Sequence, residues 1–375
     1  MRKYGQREDA LVEPLGPEVM VRQVEALAAD LRTLTSAFDH RIRSLTAPLD
    51  LASVDTVYVT GDGDSYHAAC AAEMAFEEIG AVTCEPLSAL RFLHYGPSTS
   101  VRPASASRTL VIAVSASGGT ERVVQAVRTA KQCGAATLAV TGTPASPVTQ
   151  AADHTLLVDL PRLERSPGIR TYQASLLGLL LIAIRLGQIR RARSAGQSDG
   201  LRRELLALAD VIDATTPAIK ERCRDLANVI AGAPAMVMLG SGPSHGTALF
   251  CAAKMIEAAG VFTAGQDLEE WSHVECQAYP DDMPTFVIAP PGRSHWKAVE
   301  VAAHAHRLGR RVVAVAHEDD TAVLRHAHTA LPVEGQVREE FSPLLYHLFA
   351  SYLASFVTER LGRMLFQTDR ADART

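Results

Sequence analysis

Short apolar runs alternate along the chain with longer stretches of helical period. The runs are Thr56–Thr60, Leu110–Val114, Ala136–Val140 and His154–Val158, then Ala235–Leu239, Thr285–Ala289 and Arg311–Ala316. They are β-branched or small, and carry no regular polar alternation. That pattern predicts strands buried on both faces, as in a parallel sheet. The intervening stretches, among them 66–80, the helix opening at Glu121, Tyr172–Leu186, 247–260 and Lys297–Leu308, predict amphipathic or buried helices. Pro86–Arg91 predicts a strand edge followed by a helix start. Residues 1–20, polar and with two prolines, read as an irregular arm, and Val21–Ser44 as a helix. Arg190–Gly200, charged and Ser/Gly-rich, reads as a linker before helical patterns over Leu201–Ile230. Ser342–Leu361 predicts a closing helix. Strand–helix alternation on either side of the linker predicts two α/β units.

The first unit is organised around Leu110–Val114. The strand runs straight into Ser115-Ala-Ser117-Gly118-Gly119-Thr120, and a helix follows. Three hydroxyls and two glycines before a helix N-terminus can hold an anion. Backbone N–H groups point outward, glycine lets the anion approach, and the hydroxyls donate. A plain helix cap needs one hydroxyl, not three. A second turn, Gly61-Asp-Gly63-Asp-Ser65, follows Thr56–Thr60. Gly240-Ser-Gly242-Pro-Ser244 repeats it 179 residues later, and Glu78 and Glu257 stand at the same separation. The repeat departs from symmetry at the anion turn. There the second copy reads Pro290-Pro291-Gly292, and proline has no N–H to offer.

Composition narrows the classes. The 375 residues fit about two domains. The net charge of −5 and sequence pI near 6.2 give no basic excess for nucleic acid. Six scattered cysteines form no C-x-x-C pair, which predicts buried thiols in a reducing, cytoplasmic setting. The N-terminal stretch lacks the apolar core of a signal peptide. The run Leu176–Ile184 is too short to span a bilayer, so no membrane association is expected. His304, His306, His326 and His328 form H-x-H pairs, whose members do not share a helix face, so no metal site is expected. The Gly61-Asp-Gly63 turn lacks the third glycine of a dinucleotide fingerprint.

A strand, G-x-G-x-S, a helix, and a strand ending in S-x-S-G-x-T resemble the sugar isomerase (SIS) domain. Two copies in tandem resemble the isomerase half of glucosamine-6-phosphate synthase and the related sugar-phosphate deaminases and deglycases. The similarity covers about residues 20–370. It implies a fold of two tandem SIS domains, each a parallel sheet flanked by helices, flavodoxin- or Rossmann-like. The boundaries are an arm and helix over 1–44, the phosphate-binding domain over 45–190, linker and helices over 191–230, and the second domain over 231–375. The resemblance also implies site residues. Ser65, Ser115, Ser117 and Thr120, with Gly61, Gly63 and Gly118, would hold a sugar phosphate. Glu257 would move the proton between C1 and C2, and His273 would assist ring opening. Glu270 matches the acidic residue ahead of that histidine, and Asp64 is a weaker sugar contact. Asp62 and Asp64 are unexpected beside a phosphate. Val274-Glu275 stands where Gly-Pro is usual after the histidine.

The implied activity is an isomerase or an amino-sugar-phosphate deaminase or deglycase, working through an enediol or enolamine. It would need no cofactor or metal and would form a homodimer. The chain opens Met1-Arg2-Lys3, has no cysteine before Cys70, and ends RADART without the synthase's tail lysine. These features favour amine release, or simple isomerisation, over glutamine-driven synthesis, and the glutaminase-free layout of two SIS domains places amine release first. The alternatives are a non-catalytic phosphosugar-binding regulator and a nucleotide-dependent oxidoreductase.

Overall fold

The computed structural model describes residues 14–47, 50–96, 107–162 and 164–368. The outer part of the arm and the RADART tail lie outside them. The first half runs α1 (Glu18–Glu25), α2 (Leu27–Thr46), β1 (Thr56–Gly61), α3 (Asp64–Glu78), β2 (Thr83–Ser88) and α4 (Ala89–Tyr95). It continues with β3 (Thr109–Val114), α5 (Glu121–Gln132), β4 (Ala136–Thr141), α6 (Pro147–Ala151), β5 (His154–Leu157) and α7 (Arg170–Ile189). The second half begins with α8 (Ala195–Ile230), β6 (Ala235–Leu239), α9 (Pro243–Ala259), β7 (Phe262–Gln266), α10 (Leu268–His273) and β8 (Pro284–Ala289). It closes with α11 (His295–Arg307), β9 (Arg311–His317), α12 (Thr321–Leu324), β10 (Thr329–Val333), α13 (Pro343–Tyr346) and α14 (Leu348–Arg360).

Each half builds a five-stranded parallel sheet. The orders are β2-β1-β3-β4-β5 and β7-β6-β8-β9-β10, the same topology twice. All six residues of β3 are buried, as are all six of β8, which accounts for runs without polar alternation. One face of each sheet enters a common core. Leu110, Ile112 and Val114 from the first sheet and Phe286, Ile288 and Val313 from the second belong to the same cluster. The central helices fill that core. Helices α3 and α9 cross in close contact, where a Cβ on Gly246 would stand 2.4 Å from the Ala71 nitrogen. The outer faces have smaller covers, α4 to α6 on the first sheet and α10 to α12 on the second.

Three expectations change. The stretch 190–200 is no linker beyond its first residues: α8 starts at Ala195 and runs 36 residues. Ser194 and Gln197 close a reciprocal capping box that starts the helix despite Gly196 and Gly200. The arm becomes helical at Glu18 rather than Val21. The closing helix breaks at His347, between α13 and α14. Helix α7 is long and apolar enough to cross a membrane by length and composition, with 83% of its most apolar window buried inside the protein. It also touches the first sheet, where a Cβ on Gly178 would meet Val158 and Leu156 at 3.0 and 3.2 Å.

Candidate active site

In a parallel sheet of this order, neighbouring strands β1 and β3 send their connections to opposite sides. The crevice at their C-terminal ends is the natural ligand position. Both signature turns sit there. A Cβ on Gly61 would lie 2.8 Å from the Ser65 Cβ and 3.0 Å from the Val114 carbonyl, so the turns are in direct contact. Gly63 holds φ +56°, ψ −130°, and Gly242 in the second copy +57°, −131°. L-residues rarely adopt this conformation, so the glycines are a requirement of the turn. Gly118, at φ +65°, packs so tightly that a Cβ would reach 2.0 Å from Ser146 Oγ.

The hydroxyls are arranged around the start of α5. Ser115 is buried, and its Oγ lies 3.3 Å from Thr120 Oγ1. Ser117 Oγ accepts from the Gly119 N–H at 3.3 Å. Thr120 is the N-cap of α5, yet its side chain caps nothing. The helix therefore presents its first N–H groups without an internal acceptor from that cap. A cleft of about 210 Å³ opens beside the turn, lined by Ala116, Gly142, Thr143, Thr171 and Ser175 among others.

The second copy is filled differently. The Arg293 N–H donates to Glu339 Oε2 at 3.0 Å, and a Cβ on Gly292 would strike the Glu339 carboxylate. The chain supplies its own anion there. Glu78, the counterpart of Glu257, is half-buried and pairs with the exposed Arg293 at 2.9 Å.

Glu257 lies in another environment. Lys254, one turn earlier on α9, is fully buried, at 0% side-chain exposure. Its Nζ donates to Glu257 Oε2 at 2.5 Å, to Asp64 Oδ2 at 2.6 Å and to the Gly168 carbonyl at 3.4 Å. Asp64 is the first residue of α3, beside Ser65. One cation thus ties the anion-turn domain to the helix of Glu257.

A single ammonium between two carboxylates leaves a net negative charge when all three are ionised. Burial pushes Asp64 up, but Lys254 and the nearby His67 outweigh it and hold Asp64 below the ordinary range. Burial pushes Glu257 up, and there Lys254 does not fully compensate, partly because Asp64 is close; its pKa is raised. Lys254 is held above its usual value, since both carboxylates outweigh the cost of burial. The His67 Nδ1 stands 3.6 Å from Asp64 Oδ1, and neither atom has a hydrogen-bond partner among the described residues. A partly exposed carboxylate with a raised pKa, fixed by a buried lysine, is equipped to take and return a proton.

The unexpected acids of the first turn are thereby explained. Asp64 Oδ2 accepts from the buried Lys254, which balances its charge beside the turn. Asp62 Oδ1 accepts from the Ala89 N–H at 3.1 Å, anchoring the start of α4. Lys254 had a signal in the sequence: a lone lysine inside the apolar run Ala248–Ile256, three residues before Glu257. His273 is not brought to Glu257. It ends α10 with its side chain 67% exposed, and its Nε2 meets Glu269 at 3.1 Å. Glu270 is exposed on the same helix, its N–H shared with the Asp267 carboxylate at 3.4 Å. Among the described residues no cluster of His, Cys, Asp and Glu is arranged to hold a metal.

Comparison with known proteins places the fold among relatives. Residues 50–185 match the SIS domain family. A glutamine–fructose-6-phosphate aminotransferase (isomerizing) of Streptomyces coelicolor is 28% identical over 281 residues, 74% of this chain and 45% of that protein. The chain spans about half the length of the curated relatives it matches. The C-terminal domain of a glucosamine–fructose-6-phosphate aminotransferase from Francisella tularensis superposes with a TM-score of 0.77 at 15% identity, covering 92% of this chain and 96% of that one. A glucosamine-6-phosphate deaminase from Thermotoga maritima gives 0.69 at 16% identity, covering 92% and 95%. Residues 50–185 match the SIS domain, and the chain, with a second sheet of the same topology, is similar in sequence to those aminotransferases and shares its fold with the C-terminal domain of one of them and with the phosphosugar isomerases.

Proposed function

We propose that this protein is an enzyme of phosphorylated sugars or amino sugars, catalysing aldose–ketose isomerisation or release of an amine. One observation carries the reading: Lys254 joins Glu257 on α9 to Asp64 at the head of the phosphate-turn helix. In this reading Ser65, Ser115, Ser117, Thr120 and the turn amides around Gly61, Gly63 and Gly118 hold the phosphate. That remote binding positions C1 and C2 at Glu257. Glu257 takes the C2 proton and returns it at C1 through an enediol, or an enolamine where the substrate carries nitrogen. Lys254 fixes the carboxylate's position. His273 acts at the ring oxygen, and since it does not meet Glu257 within one copy, it is supplied by the other subunit of a homodimer.

The test is to incubate the protein with glucosamine 6-phosphate, fructose 6-phosphate and fructosamine 6-phosphates, following sugar products and free amine. Amine release identifies a deaminase or deglycase, and conversion without it an isomerase. Binding with no turnover of any of them overturns the enzyme reading in favour of a regulator. Ser117→Ala should weaken sugar-phosphate binding by about 10-fold or more, the loss of one charge-assisted hydrogen bond worth about 1.5–3 kcal/mol. Substitution of Arg293 should leave that affinity unchanged.

A further inference from the structure

Helices α1, α8 and α14 and the segment 362–364 enclose a cleft of about 590 Å³ that shares no residue with the candidate active site. Arg22, Lys220, Arg224 and Arg363 line it, against Glu18 and Glu359. The lining itself carries more cations than carboxylates, with Glu164, Glu25 and Glu221 standing beside Arg22, Lys220 and Arg224 from outside it. Val21 and Met364 add an apolar wall. A second cleft of about 360 Å³ shares Arg224, Phe356 and Glu359 and adds Arg360.

Arg224 stands at the junction of the two. Its guanidinium lies 4.2 Å from the centre of the Phe356 ring, which fixes its plane by cation–π attraction. The nearest carboxylate, Glu221, is at 3.8 Å, outside hydrogen-bond reach. A guanidinium fork held against an aromatic face, with no carboxylate among the described residues within hydrogen-bond distance, matches phosphate oxygens in pairs. Arg22 and Lys220 are engaged only at the surface, with Glu164 at 2.8 Å and Glu25 at 2.7 Å. Such exposed pairs are worth little and exchange readily for a more highly charged anion. Arg363 is committed, donating to the Ala259 carbonyl at the end of α9. The volume is in the range of small-molecule sites. Charges spread over two adjoining clefts, with an apolar wall beside them, fit a ligand with more than one phosphate and an organic part.

We propose that this double cleft binds an organic diphosphate of nucleotide size, anchored by Arg224, as a site separate from the sugar-phosphate turn. The probe is ADP, with pyrophosphate and adenosine as separate arms, titrated calorimetrically against the full chain and followed by thermal shift. ADP should bind and raise Tm, pyrophosphate should bind more weakly, and adenosine should not bind. Arg224→Ala should weaken ADP at least 10-fold, and Arg360→Ala, at an exposed position, should weaken it less. Ser117→Ala should leave ADP binding unchanged, whatever it does to sugar phosphates. ADP bound equally by wild type and both arginine variants, no binding at millimolar ADP, or displacement of ADP by fructose 6-phosphate would each overturn the proposal.

Discussion

Lys254 changes what Glu257 is. A glutamate on a helix surface is ordinary, and its counterpart Glu78 is just that, half-buried and paired with the exposed Arg293. Glu257 shares one buried ammonium with a second acid and is left with the raised pKa. Glu257→Gln should therefore retain sugar-phosphate binding and lose exchange of the substrate C2 proton with solvent, read by NMR in deuterated buffer. Glu78→Gln should retain both. In the wild type, exchange should rise with pH as Glu257 ionises, along a limb displaced above that of an ordinary glutamate.

Another residue gives a stability signal. Burial, with Glu77 and Glu85 nearby, pushes Glu73 up from 4.5 to about 7. The folded state holds this proton more tightly than the unfolded chain. Its contribution to stability is thus fully present below the unfolded value and is lost as pH rises through about 7. Tm measured across that window should fall with pH, and Glu73→Gln should flatten the slope.

At the scale of elements, α2 and α7 are joined by an ion pair buried at both ends. Arg170 Nε and Nη2 donate to the two oxygens of Asp30 at 2.6 and 2.8 Å, and the guanidinium also reaches the Pro161 and Arg162 carbonyls. Asp30→Ala strands a buried guanidinium and should destabilise the fold by about 3–5 kcal/mol in urea unfolding. An equal loss of only a few tenths would show that water or the carbonyls suffice. Element boundaries followed local chemistry where that chemistry was legible. Strands β1, β3, β4 and β6 lie where their apolar runs predicted. The start of α8 was legible too, in Ser194 and Gln197, but glycines and charge pointed to a linker. A closed capping box outweighs the modest helix cost of Gly196 and Gly200. Strands β7 and β10 carried less signal. Exposed or half-buried positions interrupt both, as expected at the edges of a sheet.

For the whole molecule, the repeat and the loss of its symmetry matter most. Two sheets of one topology face a shared helical core, and α3 crosses α9 at Gly246. That crossing lets a lysine from one half reach an aspartate of the other. It does not bring in His273, which remains exposed on α10. If a second copy supplies it, Glu257→Gln and His273→Asn chains, each inactive alone, should regain activity when refolded together, because mixed dimers contain one intact site. Light scattering should report a dimer. A monomer, or no recovery on mixing, would remove His273 from the site.

The sequence by itself determined the strands, the tandem repeat and the hydroxyl-rich turn, because these depend on neighbours in the chain. Periodicity reports burial, glycine reports backbone conformation, and proline at 290 and 291 reports lost donors. It also marked Glu257 through the repeat. What it left open depended on contacts between distant segments. Asp64 looked misplaced beside a phosphate until Lys254, 190 residues later, was seen to neutralise it. The second anion turn looked merely degenerate until Glu339 was found in it. A buried charge is tolerable only beside its counter-charge, and which residues become neighbours is settled by the packing of α3 on α9, not by their spacing along the chain.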